Sequence, residues 1–239
     1  MAKNYGSDVS REQFEIIRED LEKAKKATRP RKVDLYDIFR AVLYILKTGS
    51  QWRNLPKDFP NWELVYYYFT VWKKPKENGE SLLEKILKKL VQKIRIWQQK
   101  KVMMPEKILE IKRHIAVDSQ GLPHAISVTT ADITDRNGAI ELLKINKNNL
   151  TDVKNVMADF GYSGENFASE VHKIIGSKVD IVKRNDAHKF SVILKRWVVE
   201  RTFAWFEKFR RLWKNCERLL LSSLSFLLLY LISILIKRF

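Results

Sequence analysis

The chain has 239 residues, of which 45% are apolar, enough for one large domain or two small ones with a substantial core. Its 45 Lys and Arg against 28 Asp and Glu give a net charge of +17, which favours a polyanionic partner, nucleic acid before an anionic membrane surface. The single cysteine, Cys216, excludes a disulfide framework and a Cys-x-x-Cys zinc site, and no apolar leader follows Met1, so we expect a cytoplasmic protein.

Residues 1–100 are predicted to be helical. Ser10 and Gln13 have the spacing of a capping box, which predicts a helix as far as about Lys25. Three more helices are predicted, at 35–47, 62–73 and 81–98. Short helices with a basic surface are typical of a helix-turn-helix-like DNA-binding module, although any small helical bundle gives the same pattern.

Strands and helices alternate through the second half of the chain. The predicted elements, in order, are a hairpin at 114–130, a short helix that follows Asn137-Gly138 and ends near Lys144, a strand at 153–158, a helix at 163–175, a strand at 179–183 and a helix at 196–215. This alternation predicts an α/β (α+β) domain over 101–239, with a mixed sheet flanked by helices.

Three carboxylates are candidates for chemistry. Asp159 ends a short apolar strand, Glu200 lies on a cation-rich helix, and Asp118 lies in the hairpin. Acidic residues on a sheet and a helix could hold two Mg²⁺ or Mn²⁺ ions for phosphodiester cleavage. Spacing alone favours a structural role for each acid, and Glu200 could be an ion-pair partner of Arg196 or Arg201.

The C-terminal run Leu219 to Ile236 has 18 residues without a charge. That length just reaches a membrane span, but four serines dilute its hydrophobicity. We therefore expect a buried C-terminal helix and regard a membrane-anchored basic protein as the weaker alternative.

Several motifs resemble those of one family. Gln51-Trp-Arg-Asn-Leu-Pro, Lys112-Arg-His-Ile-Ala-Val-Asp-Ser-Gln-Gly, Ala158-Asp-Phe-Gly-Tyr and Trp197-Val-Val-Glu-Arg-Thr-Phe are similar to stretches of bacterial insertion-sequence DDE transposases of the insertion-sequence-five group. The resemblance implies a helix-turn-helix-like module followed by an RNase H-like catalytic domain. It also implies Mg²⁺-dependent cutting and joining at terminal inverted repeats in double-stranded DNA, by a homodimer in the bacterial nucleoid.

The resemblance assigns Asp159 and Glu200 as metal ligands and catalytic residues. The family's first catalytic Asp lies on a strand before the Lys-Arg-His hairpin, and here 98–111 leads directly into Lys112. We therefore expect an internally deleted, incomplete RNase H-like domain that lacks this first strand. Asp118 is the doubtful third acid, and a non-catalytic basic DNA-binding protein derived from a transposase is the alternative function.

Seven cations are the expected DNA contacts. They are Arg53, Lys112, Arg113, Arg196, Arg201, Lys208 and Arg211.

Overall fold

The computed structural model describes residues 5–6, 9–24, 32–76, 79–94, 101–104, 111–182, 196–213, 215 and 217–239. The chain forms two compact units. We call Met1–Ile94 with Phe206–Phe239 the helical unit, and Arg95–Trp205 the sheet unit. The helices are α1 (Arg11–Glu22), α2 (Leu35–Thr48), α3 (Trp62–Lys73), α4 (Leu82–Ile94), α5 (Asp135–Ile145), α6 (Glu165–Ile175), α7 (Arg196–Glu207), α8 (Arg210–Trp213) and α9 (Leu220–Ile236). The strands are β1 (Lys101–Met104), β2 (Ile111–Val117), β3 (Pro123–Thr130), β4 (Asn155–Asp159) and β5 (Lys178–Val182).

Local hydrogen bonds fix the start of the helices in the helical unit. The Ser10 hydroxyl accepts from the N–H of Gln13, whose side chain accepts from the N–H of Ser10, as the capping box predicts. The carboxylate of Asp34 caps α2, and the Asn61 side chain caps α3. Gly49 ends α2 with φ 69°, a left-handed conformation that favours glycine.

Aromatic side chains form the core of the helical unit. Phe69 of α3 stacks on Phe226 of α9 with ring centroids 4.7 Å apart, and Trp72 is fully buried beside them. α9 packs mainly against α4. The sequence-based boundary placed residues 206–239 with the sheet, whereas in the structure they complete the helical core.

The apolar C-terminal segment is thus a buried helix of 17 residues. Within the described part of the chain, no helix is long and apolar enough to cross a membrane.

The sheet unit contains one five-stranded mixed sheet in the order β3-β2-β1-β4-β5. β2 is antiparallel to both β1 and β3, whereas β4 is parallel to both β1 and β5. The α+β class predicted from the sequence is therefore confirmed. Strand β1 was not predicted, because four residues carry too little periodicity to identify a strand alone.

Helices α5 and α6 pack on the sheet through small and branched side chains. Val156 of β4, Leu142 of α5 and Val171 of α6 are fully buried in one cluster. Two boundaries differ from prediction: Gly164 rather than Ser163 caps α6, and the helix predicted over 196–215 breaks after Glu207.

Candidate functional site

The candidate site is the carboxyl edge of the parallel strands, where β4 ends in Asp159. One Asp159 oxygen, Oδ1, accepts the N–H of Gly161 at 3.0 Å, and the side chain is half-exposed. A Cβ at position 161 would lie only 3.1 Å from the same oxygen, so glycine suits this turn. Ligands of α/β sheets bind outside the carboxyl ends of the strands, and Asp159 faces that region.

Arg136 supports the turn that follows Asp159. Its Nε donates to the carbonyl oxygen of Gly161 at 3.0 Å, from the first turn of α5. Gly161 is thus held on one side by Asp159 and on the other by Arg136. Sequence reasoning missed Arg136, although it belongs to the Asp-Arg-Asn-Gly stretch at the start of α5, because nothing local connects it with a turn 25 residues away.

The strand expected to be absent is present, as β1. Its four residues pair in parallel with β4, from Lys101 opposite Asn155 to Met104 opposite Ala158. The sequence of β1 is Lys-Val-Met-Met, which contains no carboxylate. The expectation of a missing strand is therefore corrected, since the position is filled by a strand that brings no acid beside Asp159.

Asp118 lies towards the other end of the strands. Val117 of β2 pairs with Met103 of β1, and Met103 pairs with Met157, which lies two residues before Asp159 on β4. Because β2 runs antiparallel to β4, Asp118 lies one residue further than Val117 from the level of Asp159. Three residues along and two strands across give a separation on the order of 14 Å. The structure therefore does not bring Asp118 together with Asp159.

Hydrogen bonds inside the hairpin also occupy Asp118. Its Oδ1 accepts the N–H groups of Gln120 at 2.9 Å and Leu122 at 3.0 Å, and its Oδ2 lies 3.1 Å from His124 Nε2. Burial acts to raise the pKa of Asp118, but these hydrogen bonds outweigh it and hold the pKa below the ordinary value. This carboxylate stabilises the β2–β3 turn.

Glu200 lies in the first half of α7, and its side chain is outside the described atoms. Its proximity to Asp159 therefore stays a prediction. Among the described residues, no three His, Cys, Asp or Glu side chains cluster in a way that could hold a metal ion. Of the two acids expected to bind Mg²⁺ or Mn²⁺, Asp159 has no acidic partner among the four residues of β1, which does not fit a complete two-ion centre.

Two of the predicted DNA contacts, both on β2, are engaged within the sheet unit. Lys112 Nζ donates to the carbonyl of Ile133 at 2.6 Å and lies 3.1 Å from Asp135 Oδ1. Arg113 is only 2% exposed, and burial lowers its pKa. Neither cation is presented to a duplex in this conformation.

The remaining predicted contacts differ in exposure. Arg201 is half-buried and donates to the carbonyl of Gln120 at 3.1 Å. Arg211 is packed in the helical unit, where its Nη1 donates to the carbonyl of Ser50 at 2.9 Å. Arg53 and Lys208 are exposed, and the side chain of Arg196 is outside the described atoms.

Comparison with known proteins gives two family matches. A family model described as "Putative transposase of IS4/5 family" matches residues 9–76. A second model, "Transposase DDE domain", matches residues 70–235, which is more than half of the chain.

One curated relative is 33% identical over 114 residues, a protein of Burkholderia cepacia named "Putative transposase for insertion sequence element IS402". The alignment covers 45% of this chain and 54% of the relative, so the match spans about half the relative's length. No solved structure was found to match the chain.

Proposed function

This chain belongs to the DDE transposase family, and on that premise we propose that it binds the terminal inverted repeats of a bacterial insertion sequence. We propose that its strand-cleavage centre is incomplete, so that cutting and joining of DNA are weak or absent. The observation that carries this second part is the pairing of Met104 with Ala158, which places a carboxylate-free strand beside Asp159.

The sheet is proposed to be RNase H-like. Its support is the strand order β3-β2-β1-β4-β5, in which β3, β2 and β1 pair antiparallel and β1, β4 and β5 pair parallel. In such a domain the carboxyl edge of β1 and β4 would carry the first two acids of the DDE set. Here Asp159 is the acid at that edge, and Glu200 on α7 is the proposed third member.

A divalent cation, Mg²⁺ or Mn²⁺, would activate the attacking oxygen and stabilise the leaving oxygen of a phosphodiester when held by a full set of acids. Asp159 and Glu200 supply only part of that set. What the chain's own residues do is hold Asp159 at the sheet edge through Gly161 and Arg136.

DNA binding is proposed to involve the helical unit, acting as a dimer in the bacterial cytoplasm and nucleoid. Its support is the charge of +17 and the match of residues 9–76 to the IS4/5 family model. Lys and Arg contacts to phosphates release counterions. The logarithm of the binding constant should therefore fall linearly with the logarithm of the salt concentration, with a slope of about −0.9 for each phosphate contacted.

The test uses the purified full chain and labelled duplexes carrying the inverted repeats that flank its gene. We expect tighter binding to these duplexes than to scrambled ones, and Mn²⁺-dependent nicking no greater than that of a Glu200→Ala control. Equal affinity for repeat and scrambled duplexes would refute repeat binding. Efficient nicking that Asp159→Asn abolishes would refute the incomplete centre.

A second candidate is a basic DNA-binding protein without sequence preference that no longer transposes. The carboxylate-free β1 favours it, because nothing then maintains recognition of the repeats. Competition by unlabelled genomic DNA separates the two candidates, since only repeat recognition survives an excess of competitor.

A further inference from the structure

An exposed tryptophan in the helical unit lies in a stretch of the chain that carries several exposed cations. Trp213 of α8 is 58% exposed, far more than most tryptophans of a folded protein, which are largely buried. Three exposed cations accompany it in the same short stretch, namely Lys208, Arg210 and Arg218. We call these four residues the Trp213 surface.

Buried contacts hold this stretch in place. Between the exposed residues, Leu212 is buried and Arg211 points into the unit. Arg211 Nε lies 2.7 Å from Glu217 Oε1, and its guanidinium carbon lies 4.6 Å from the ring centroid of Phe226. Trp213 therefore stands on an anchored element, so little conformational entropy would be lost when a ligand contacts it.

The end of α2 packs against the same stretch. A Cβ at Gly49 would lie 3.3 Å from Arg210 Cβ, so the two segments are in close contact. Arg210 and Trp213 are three residues apart in α8, a spacing that places both on one side of a helical turn. A positive charge and an aromatic ring are thus presented side by side.

The local charge is one-sided. Of the two acids between 207 and 218, Glu217 is paired with Arg211, and only Glu207 is exposed. An anionic ligand with a flat aromatic group fits such a surface, because cations bind phosphates and aromatic side chains stack on bases.

We propose that the Trp213 surface binds single-stranded DNA, with an unpaired base stacked on Trp213 and neighbouring phosphates at Lys208, Arg210 and Arg218. This inference rests on the proposed function for DNA as the partner. It adds a binding site for unpaired nucleotides to the proposed recognition of duplex repeats.

The experiment measures the affinity of the full chain for a fluorescein-labelled oligothymidylate by anisotropy, in parallel with a duplex of equal length. Trp213→Ala should weaken oligothymidylate binding by about tenfold or more, in line with the loss of one stacked base. Duplex affinity should change by less than about twofold, since paired bases are not available for stacking. Trp213→Phe should retain most of the single-strand affinity, because it keeps an aromatic face.

The cations and a neighbouring apolar residue give further comparisons. Arg210→Ala should reduce the salt slope for oligothymidylate by about 0.7, the value for one phosphate on a single strand. Leu219→Ser is the matched control, because Leu219 is 62% exposed next to Arg218 and is assigned no contact. Thermal unfolding of each variant verifies that the fold is retained.

Unchanged oligothymidylate affinity in folded Trp213→Ala would overturn the proposal, as would equal losses on single strand and duplex. A larger loss for Leu219→Ser than for Trp213→Ala would also overturn it, because an apolar side chain would then contribute more to binding than the aromatic ring. Failure of repeat recognition, with the single-strand results as expected, would refute the proposed function and leave this inference intact.

Discussion

Met104 of β1 pairs with Ala158 of β4 in parallel register, one residue before Asp159. The carboxyl edge of the sheet thus has an acid on β4 and none on the neighbouring strand. A second acid beside Asp159 would add oxygen ligands for a cation at short range. The absence of an acid from the described residues of β1 therefore supports the proposed incomplete centre.

Placing an acid on β1 should strengthen metal binding at this edge of the sheet. Met103 pairs with Met157, which shares a strand face with Asp159 because strand side chains alternate. We expect Met103→Asp to bind Mn²⁺ at least about tenfold more tightly than the parent chain, since one extra carboxylate near a cation is worth more than the ~1.4 kcal/mol required. Isothermal titration measures this, with Met103→Asn as the uncharged control. Tight Mn²⁺ binding by the parent chain would contradict the prediction.

Asp118 should prove structural. Asp118→Asn should lower the free energy of unfolding at pH 7 by about 1–3 kcal/mol, because charge-assisted hydrogen bonds to the turn are lost. The folded pKa of Asp118 lies below 3.8, the ordinary value for an aspartate, so its stabilisation is present above that pH and disappears as pH falls through the folded pKa. The difference between parent and variant in urea unfolding should shrink accordingly in acid. A difference that grows below pH 3.8 would argue against this role.

Gly138 should be coupled to His114. A Cβ on Gly138 would lie 2.3 Å from His114 Cε1, inside the buried contact between α5 and β2. Gly138→Ala should therefore destabilise the chain by about 1–3 kcal/mol. Adding His114→Ala should cost less than the sum of the two single changes, because removal of the ring opens the space. Chemical denaturation of the four proteins of this cycle provides the measurement, and strict additivity would show that the two residues do not compete for space.

Arg211 should matter for stability rather than for DNA contact. Arg211→Lys loses the bond to the Ser50 carbonyl and the contact with Phe226, and should destabilise the chain by about 1–3 kcal/mol. The salt slope of duplex binding should stay unchanged in the uncharged variant Arg211→Gln, whereas loss of a phosphate contact would reduce it by about 0.9. Exposed Arg210→Lys is the comparison, with an expected effect on stability within about 0.5 kcal/mol.

Most element positions could be predicted from the sequence. Ser10, Asp34 and Asn61 begin their helices through bonds to backbone groups only two or three residues away, so the local sequence contains the whole interaction. The strand that ends in Asp159 could also be predicted locally, because an apolar run followed by a Gly-containing turn indicates a strand without knowledge of its partner strands.

Tertiary structure decided the rest, because the interactions involved join residues far apart in the chain. Strand β1 exists through its partners β2 and β4, and only their register separates Asp118 from Asp159. The same holds for α9, whose Phe226 stacks on Phe69 and so joins the helical unit rather than the sheet. Sequence by itself determined the family motifs, the charge and most of the helices, since these depend on composition and short spacing. Packing between distant segments decided the distance between acids and the burial of cations. Strand register and burial cannot be read from neighbouring residues in the sequence.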